Sequence, residues 1–255
     1  MKIKSKIKSA LNKTKTSRPY RLIKEIIGWD DVIALILGFI GVAYYIFGTN
    51  IGNEDFQTFY ERIHIELIGI SITILMLGNA EKINLVNAEK HRLILQMGSP
   101  DNGFAREAVR QIKQRGWLYD GTIRNAHLVE ANLIKANMDY ANLENAWLIL
   151  AKLNGARLIS ANLKNAQLAS AKLNEAMIFD ANLEQADLRD THFEKAMLFD
   201  SNLSQANLHN AHLQGALYNK NTIWPIDFDP KLSGATLVGI EEIRKIIGSI
   251  EGVFG

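Results

Sequence analysis

Residues 141–160 read ANLENAWLILAKLNGARLIS and residues 161–180 read ANLKNAQLASAKLNEAMIFD. In each line a small residue is followed two places on by a large apolar one, and the pair recurs every five residues. The lines also match each other at a spacing of twenty. Asn142-Leu143-Glu144-Asn145-Ala146 returns as NLKNA at 162–166, NLEQA at 182–186 and NLSQA at 202–206, and the AMIFD of 176–180 returns as AMLFD at 196–200. The pattern extends in both directions, from Gly121 to Lys220, as twenty consecutive units. A short fixed period of this kind is the signature of a solenoid, in which each unit buries its apolar face only against its neighbours.

The period excludes the two regular structures. An α-helix turns about 100° per residue, so apolar residues five apart step about 140° around the axis and form no stripe. A flat strand alternates faces with period two, so residues five apart point to opposite sides. A chain that bends after every unit turns both the small and the large apolar residue inward each time and closes a coil after four units. The expected fold is therefore mainly β, a quadrilateral β-helix of about five coils, on the order of 24 Å tall at about 4.8 Å per stacked chain. Its inner columns are Ile123, Leu143, Leu163, Leu183, Leu203; Leu128, Leu148, Leu168, Leu188, Leu208; Leu133, Leu153, Leu173, Phe193, Leu213; and Met138, Leu158, Ile178, Leu198, Tyr218. The companion small positions are alanine almost throughout, with Gly121, Thr191 and Ser201 as exceptions.

On these residues the chain resembles the pentapeptide-repeat family, over all of 121–220. The resemblance implies a right-handed quadrilateral β-helix. The segments 94–118 (ILQMGSPDNGFAREAVRQIKQRGWL) and 222–235 (TIWPIDFDPKLSGA) are also similar to sequences flanking the repeats in membrane-anchored members, the type with two N-terminal transmembrane helices.

The chain has 255 residues, 47% of them apolar, a net charge of +2 and no cysteine, which excludes disulfides and thiolate chemistry. The small net charge hides an asymmetry. Residues 1–29 carry nine Lys or Arg against the single acid Glu25, whereas 121–220 hold nine basic and ten acidic residues. In the first eleven residues Ile3, Ile7 and Leu11 share one helical face among lysines, so 1–30 is expected to be a basic amphipathic segment able to lie on an anionic leaflet. A disordered basic tail is the alternative.

From Val32 to Asn53 no charge is present after Asp31, and the run VIALILGFIGVAYYIF is apolar enough to read as a transmembrane helix over about 32–52. A second span is expected at about 63–80, giving a transmembrane hairpin over 31–80. It contains His64 and Glu66, and its uninterrupted apolar part is short of about 17 residues, so a buried soluble helix is the alternative. Basic residues precede the first run and Lys82, Lys90 and Arg92 follow the second, while the intervening loop carries Glu54, Asp55 and Glu61. The positive-inside rule then places both termini and the repeat domain in the cytoplasm of a prokaryotic-type cell, with the protein integral to its membrane.

Residues 81–120 are expected to form a helical linker and an N-terminal cap, with helices at 81–97 and 104–115 separated by Gly98-Ser99-Pro100. Residues 221–255 are expected to form a C-terminal cap with an amphipathic helix carrying Ile243, Ile246, Ile247 and Ile250 on one side. An open β-helix end exposes unpaired backbone, so caps are needed.

Catalytic chemistry has no evident seat. There is no phosphate-cradling glycine loop, no cysteine cluster and no serine in a nucleophile-elbow context, so no enzyme activity, cofactor or metal is expected. His192 and His212 do share an outward column one coil apart, with His209 on the neighbouring face. A pair of surface histidines is ordinarily just solvated, and no third ligand is evident from the sequence. The stronger signal is apolar. Ile159, Met177, Phe179, Met197, Phe199 and Leu217 cluster on the outside of the fourth face, and Val129, Trp147, Ile149 and Leu150 form a secondary patch on the second face. Asn142, Asn162, Asn182 and Asn202 stack on the first face as an expected amide ladder.

The reading that follows is a membrane-anchored, non-enzymatic scaffold or adaptor that presents a rigid β-helix surface. Its partners are membrane lipids, through two spans and the basic N-terminus, and a protein or a second copy of the chain. Two alternatives stand beside it. A DNA-mimicking topoisomerase-binding role, which the resemblance offers, needs a strongly acidic rod, and this one is nearly neutral. An enzyme or an accessory subunit of a membrane transport complex would rest on Glu66, the histidines and the anchor. Nucleic acid binding is not expected.

Overall fold

The computed structural model describes residues 36–40, 42 and 54–254. The basic segment expected at 1–30 lies outside the described residues, as does the first expected span except for 36–40 and 42, which are helical. The chain divides into two compact units, Met1–Asn87 and Ala88–Gly255.

Helix α1 covers Glu54–Met97 without interruption. No break occurs between the two helices expected on either side of position 80, because the only helix-weakening residue near the junction is the single Gly78. In the first unit the hydroxyls of Ser71 and Thr73 donate to the carbonyls of Leu67 and Gly69, one turn back, at 2.7 and 2.8 Å. Ile65, Ile70, Ile72, Met76 and Leu77 are exposed. Among the described residues no helix is long and apolar enough to cross a membrane. The span expected at 63–80 is therefore not found as such. Its charge-free part runs only from Leu67 to Ala80, between Glu66 and the Glu81-Lys82 pair.

The second unit is built on the repeats. Parallel bridges join residues twenty apart throughout, among them Asn142 to Asn162, Trp147 to Gln167, Lys152 to Lys172 and Arg157 to Met177, so four units make one coil. From Leu128 to Leu203 each large inner residue donates its N–H to the coil above, as from Leu143 to the Asn162 carbonyl at 2.8 Å, and Asn162 returns a bond to the Ala141 carbonyl at 2.9 Å. The leucine columns and nearly all of the alanine columns are buried. Where alanine gives way to a hydroxyl residue, the hydroxyl is satisfied: Thr191 donates to the Leu168 carbonyl at 2.9 Å and Ser201 to the Leu198 carbonyl at 2.7 Å.

Each corner is a four-residue turn, closed for example by the Ala146 N–H on the Leu143 carbonyl at 3.0 Å. Its third residue takes a positive φ, the requirement of a type II turn. From Asn125 to Gly215 this happens at every fifth position, and only Gly155 and Gly215 are glycines. The others, such as Tyr140, Leu150 and Asn165, sit at φ between 54° and 63°. None is β-branched, in keeping with the steric cost of a branched Cβ in the left-handed region.

Both ends of the stack are closed. Helix α2, Asn102–Gln114, starts at the Asp101 cap, whose carboxylate accepts the Phe104 N–H at 2.9 Å. It buries Ala105, Ala108, Val109 and Ile112, a stripe at helical spacing that joins Leu93, Met97 and Leu118 in the same core as the leucine columns. Two N–H groups at the start of the stack find acceptors here: Asn132 donates to Ser99 and Asn142 to Leu118, both at 2.9 Å.

At the far end the turn at 219–222 is one residue longer, so Asn202 pairs with Ile223 rather than at a spacing of twenty. Strand β1, Leu217–Tyr218, then pairs in parallel with strand β2, Thr236–Leu237. Tyr218, Trp224 and Phe228 stack edge and face at 5.5 and 5.4 Å over the last coil. Helix α3, Ile240–Phe254, follows.

Candidate functional site

The β-helix fixes its outward side chains in columns, so a surface is assembled by asking what each column carries. On the first face the asparagine amides do form a ladder. Asn162 donates to Asn142, Asn182 to Asn162 and Asn202 to Asn182 at 3.4 to 3.5 Å, and each oxygen also accepts the N–H two residues on.

The fourth face brings together the six residues singled out from the sequence, but it does not leave them open. Met177 and Leu217 both bridge to Met197, and the rings of Phe179 and Phe199 stack at 5.4 Å. Phe199 is only 2% exposed and Met177 6%, while Ile159, Phe179, Met197 and Leu217 are half-buried. The longer turn follows directly. Asn219 accepts the Asp200 N–H, and Asn221 donates to the Asp200 carboxylate at 2.7 Å. At its beginning the face is polar: the buried Asp139 binds Arg157, and Lys113 of α2 donates to Asn137. Burial holds the Lys113 ammonium below the usual lysine range, with Asp139 opposing and Arg157 reinforcing that shift.

The second face carries the open apolar surface. Val129, Trp147 and Leu150 are 42%, 47% and 49% exposed, with Ile149 half-buried among them. His127, which bridges to Trp147, lies with its ring 4.8 Å from the indole.

On the third face the histidine column holds more than the sequence reading found. The imidazoles of His192 and His212 lie parallel, with centroids 4.6 Å apart and planes inclined by 5°. Glu194, on the same unit as His192, brings Oε1 within 3.1 Å of His192 Nδ1. Its other oxygen accepts from Asn174 Nδ2 at 2.7 Å. Partial burial pushes the Glu194 carboxyl up. Its own backbone N–H, the His192 contact and the fields of both histidines outweigh that and hold it below the ordinary carboxylate value. His209 lines a different feature, an open cleft between the last coil and residues 225–228. Glu194 went unnoticed because it is set apart from the histidine column by two places. Outward positions two apart in one unit share a face, and that was the signal available.

With this geometry in place, comparison with known proteins is direct. The model for pentapeptide repeats matches residues 122–155, 151–178 and 179–215. A pentapeptide repeat protein from Nostoc PCC 7120 is 30% identical over 52% of this chain and 94% of its own, with a TM-score of 0.36. The chain belongs to the pentapeptide-repeat family. Another pentapeptide repeat protein, Rfr23 from the cyanobacterium Cyanothece 51142, is 37% identical over 37% of this chain and 64% of that one, with a TM-score of 0.37. A pentapeptide repeat protein of the Arabidopsis thaliana thylakoid lumen is 20% identical over 43% of this chain and 71% of its own, with a TM-score of 0.31. No curated protein matches the chain.

Proposed function

We propose that this pentapeptide-repeat protein is a membrane-anchored, non-enzymatic scaffold whose β-helix presents a fixed surface to a protein partner or to a second copy of itself. The observation that carries the reading is the exposed group Val129, Trp147 and Leu150, held on a rod whose backbone is bonded coil to coil. Aromatic and aliphatic side chains fixed on a rigid scaffold lose little conformational entropy on binding, which is what an interaction surface needs. The interlocked Met-Phe side chains of the fourth face support the rod more than they offer a surface. Anchoring draws support from the charge-free run after Asp31 and from the exposed apolar side chains Ile36, Phe39, Ile40 and Val42.

Two experiments test the two halves of this proposal. Crosslinking in native membranes should give a specific product with wild type that is lost with Trp147→Asp, while circular dichroism shows the fold intact. An unchanged product would remove the second face from the interaction. Alkaline carbonate extraction should leave the protein in the membrane pellet, and its release into the supernatant would remove the anchor.

A further inference from the structure

We infer that His192, His212 and Glu194 form a binding site for a borderline divalent transition ion, with zinc as the best match to the donor set. The three side chains come from two successive coils, and one donor atom from each lies within 4.8 Å of the other two. A zinc ion takes imidazole nitrogen and carboxylate oxygen at about 2.0–2.2 Å, which puts donors on one ion roughly 3–3.5 Å apart. The His192 Nδ1 to Glu194 Oε1 separation of 3.1 Å is already such an edge. His212 is exposed, so the movement that closes the third edge is a turn of its ring out of its stack on His192.

Three further features favour an ion here over a merely solvated column. The β-helix registers the two imidazoles one coil apart with centroids 4.6 Å apart, so a tilt of one ring out of the stack is enough to aim both in-plane nitrogens at one ion. Glu194 is positioned from behind by Asn174 at 2.7 Å, the kind of outer contact that orients a metal-bound carboxylate. Imidazole is a poor ligand for the hard ions calcium and magnesium, which selects the transition series. Lys172 precedes His192 in the column, but it is exposed and its ammonium is free to turn into solvent. A bound ion would tie the fourth coil to the fifth, and water would fill its remaining coordination positions.

Isothermal titration of the full chain with zinc chloride tests the site. The expected result is one high-affinity zinc per chain in wild type and in His209→Ala, and none in His192→Ala/His212→Ala. Glu194→Gln, which preserves shape, should weaken binding, and Asn174→Ala should weaken it by about tenfold. Zinc should also raise the melting temperature of wild type and leave that of the double-histidine variant unchanged. The site is overturned if wild type takes up no zinc, or if the double variant or Glu194→Gln binds zinc as wild type does.

Discussion

The carboxylate of Asp139, 6% exposed, is gripped by the guanidinium of Arg157 in the next coil, with Nε at 3.1 Å and Nη2 at 2.7 Å from the same oxygen. The other oxygen accepts the Ile159 N–H at 3.2 Å. Arg157→Ala strips the charge partner from a buried acid and should lower stability by about 1–3 kcal/mol. Asp139→Ala/Arg157→Ala should recover part of that loss, because no lone buried charge remains. Chemical denaturation of the three variants checks the coupling.

The left-handed corners give a sharper contrast. Asn165 sits at φ 57°. Replacement by valine puts a branched Cβ where it clashes and should cost about 1–2 kcal/mol, whereas Asn165→Gly should be close to neutral. Melting curves of the pair separate a conformational effect from the loss of the side chain, since both variants lose the amide.

Ala161 is 1% exposed and faces the interior of a narrow coil. Ala161→Asp adds volume and an unpaired buried charge at once, and the expected outcome is loss of the folded β-helix. Far-ultraviolet circular dichroism reads this directly.

Trp117 packs on the core between two cations, with Lys90 and Arg115 each 5.2 Å from its ring. Lys90 also pairs with Asp120, and Arg115 with Glu89, so one indole joins α1, the end of α2 and the entry to the first coil. Trp117→Ala should loosen that end before the rest. Amide exchange at Asn132 and Asn142, the two donors bonded to the cap, should accelerate more than at Asn182.

Glu107 provides a test against pH. Hydrogen bonds from Arg110 and Gln111 lower its carboxyl from 4.5 to about 2. A folded value below the unfolded one means that the contribution is complete above pH 4.5 and is lost as pH falls through about 2. Carbon-13 titration should place the midpoint near 2, and Arg110→Ala should return it toward the ordinary value.

The core was legible because it is written as spacing. Leu143, Leu163 and Leu183 can share one column only if the chain closes a coil every twenty residues, and no alternative geometry buries them together. The corners were not legible in the same way, since left-handed φ at Tyr140 or Leu150 has no apolar signature and shows only as a missing residue class. Phe199 was misjudged as open because an outward position counts as exposed only while its neighbours are small. Phe179 stacks on it, and the longer turn at 219–222 follows beside it. The second span was overextended because hydropathy was carried across Glu66, and a continuous helix from Glu54 hides the boundary. Glu194 escaped because columns were read one at a time, while a ligand set joins two.

The single additional residue at 219–222 bears on how long the rod is. A stack of equivalent rungs contains no instruction to stop, and its last rung is a template for any matching chain, including another copy of itself. Shifting the register at Asn202 and Ile223 and laying Trp224 and Phe228 across the opening converts a self-complementary end into a mismatched one. One inserted residue and two aromatic rings, with only the two-residue strand β2 stacked beyond them, thus work against head-to-tail growth of the repeat into a fibre.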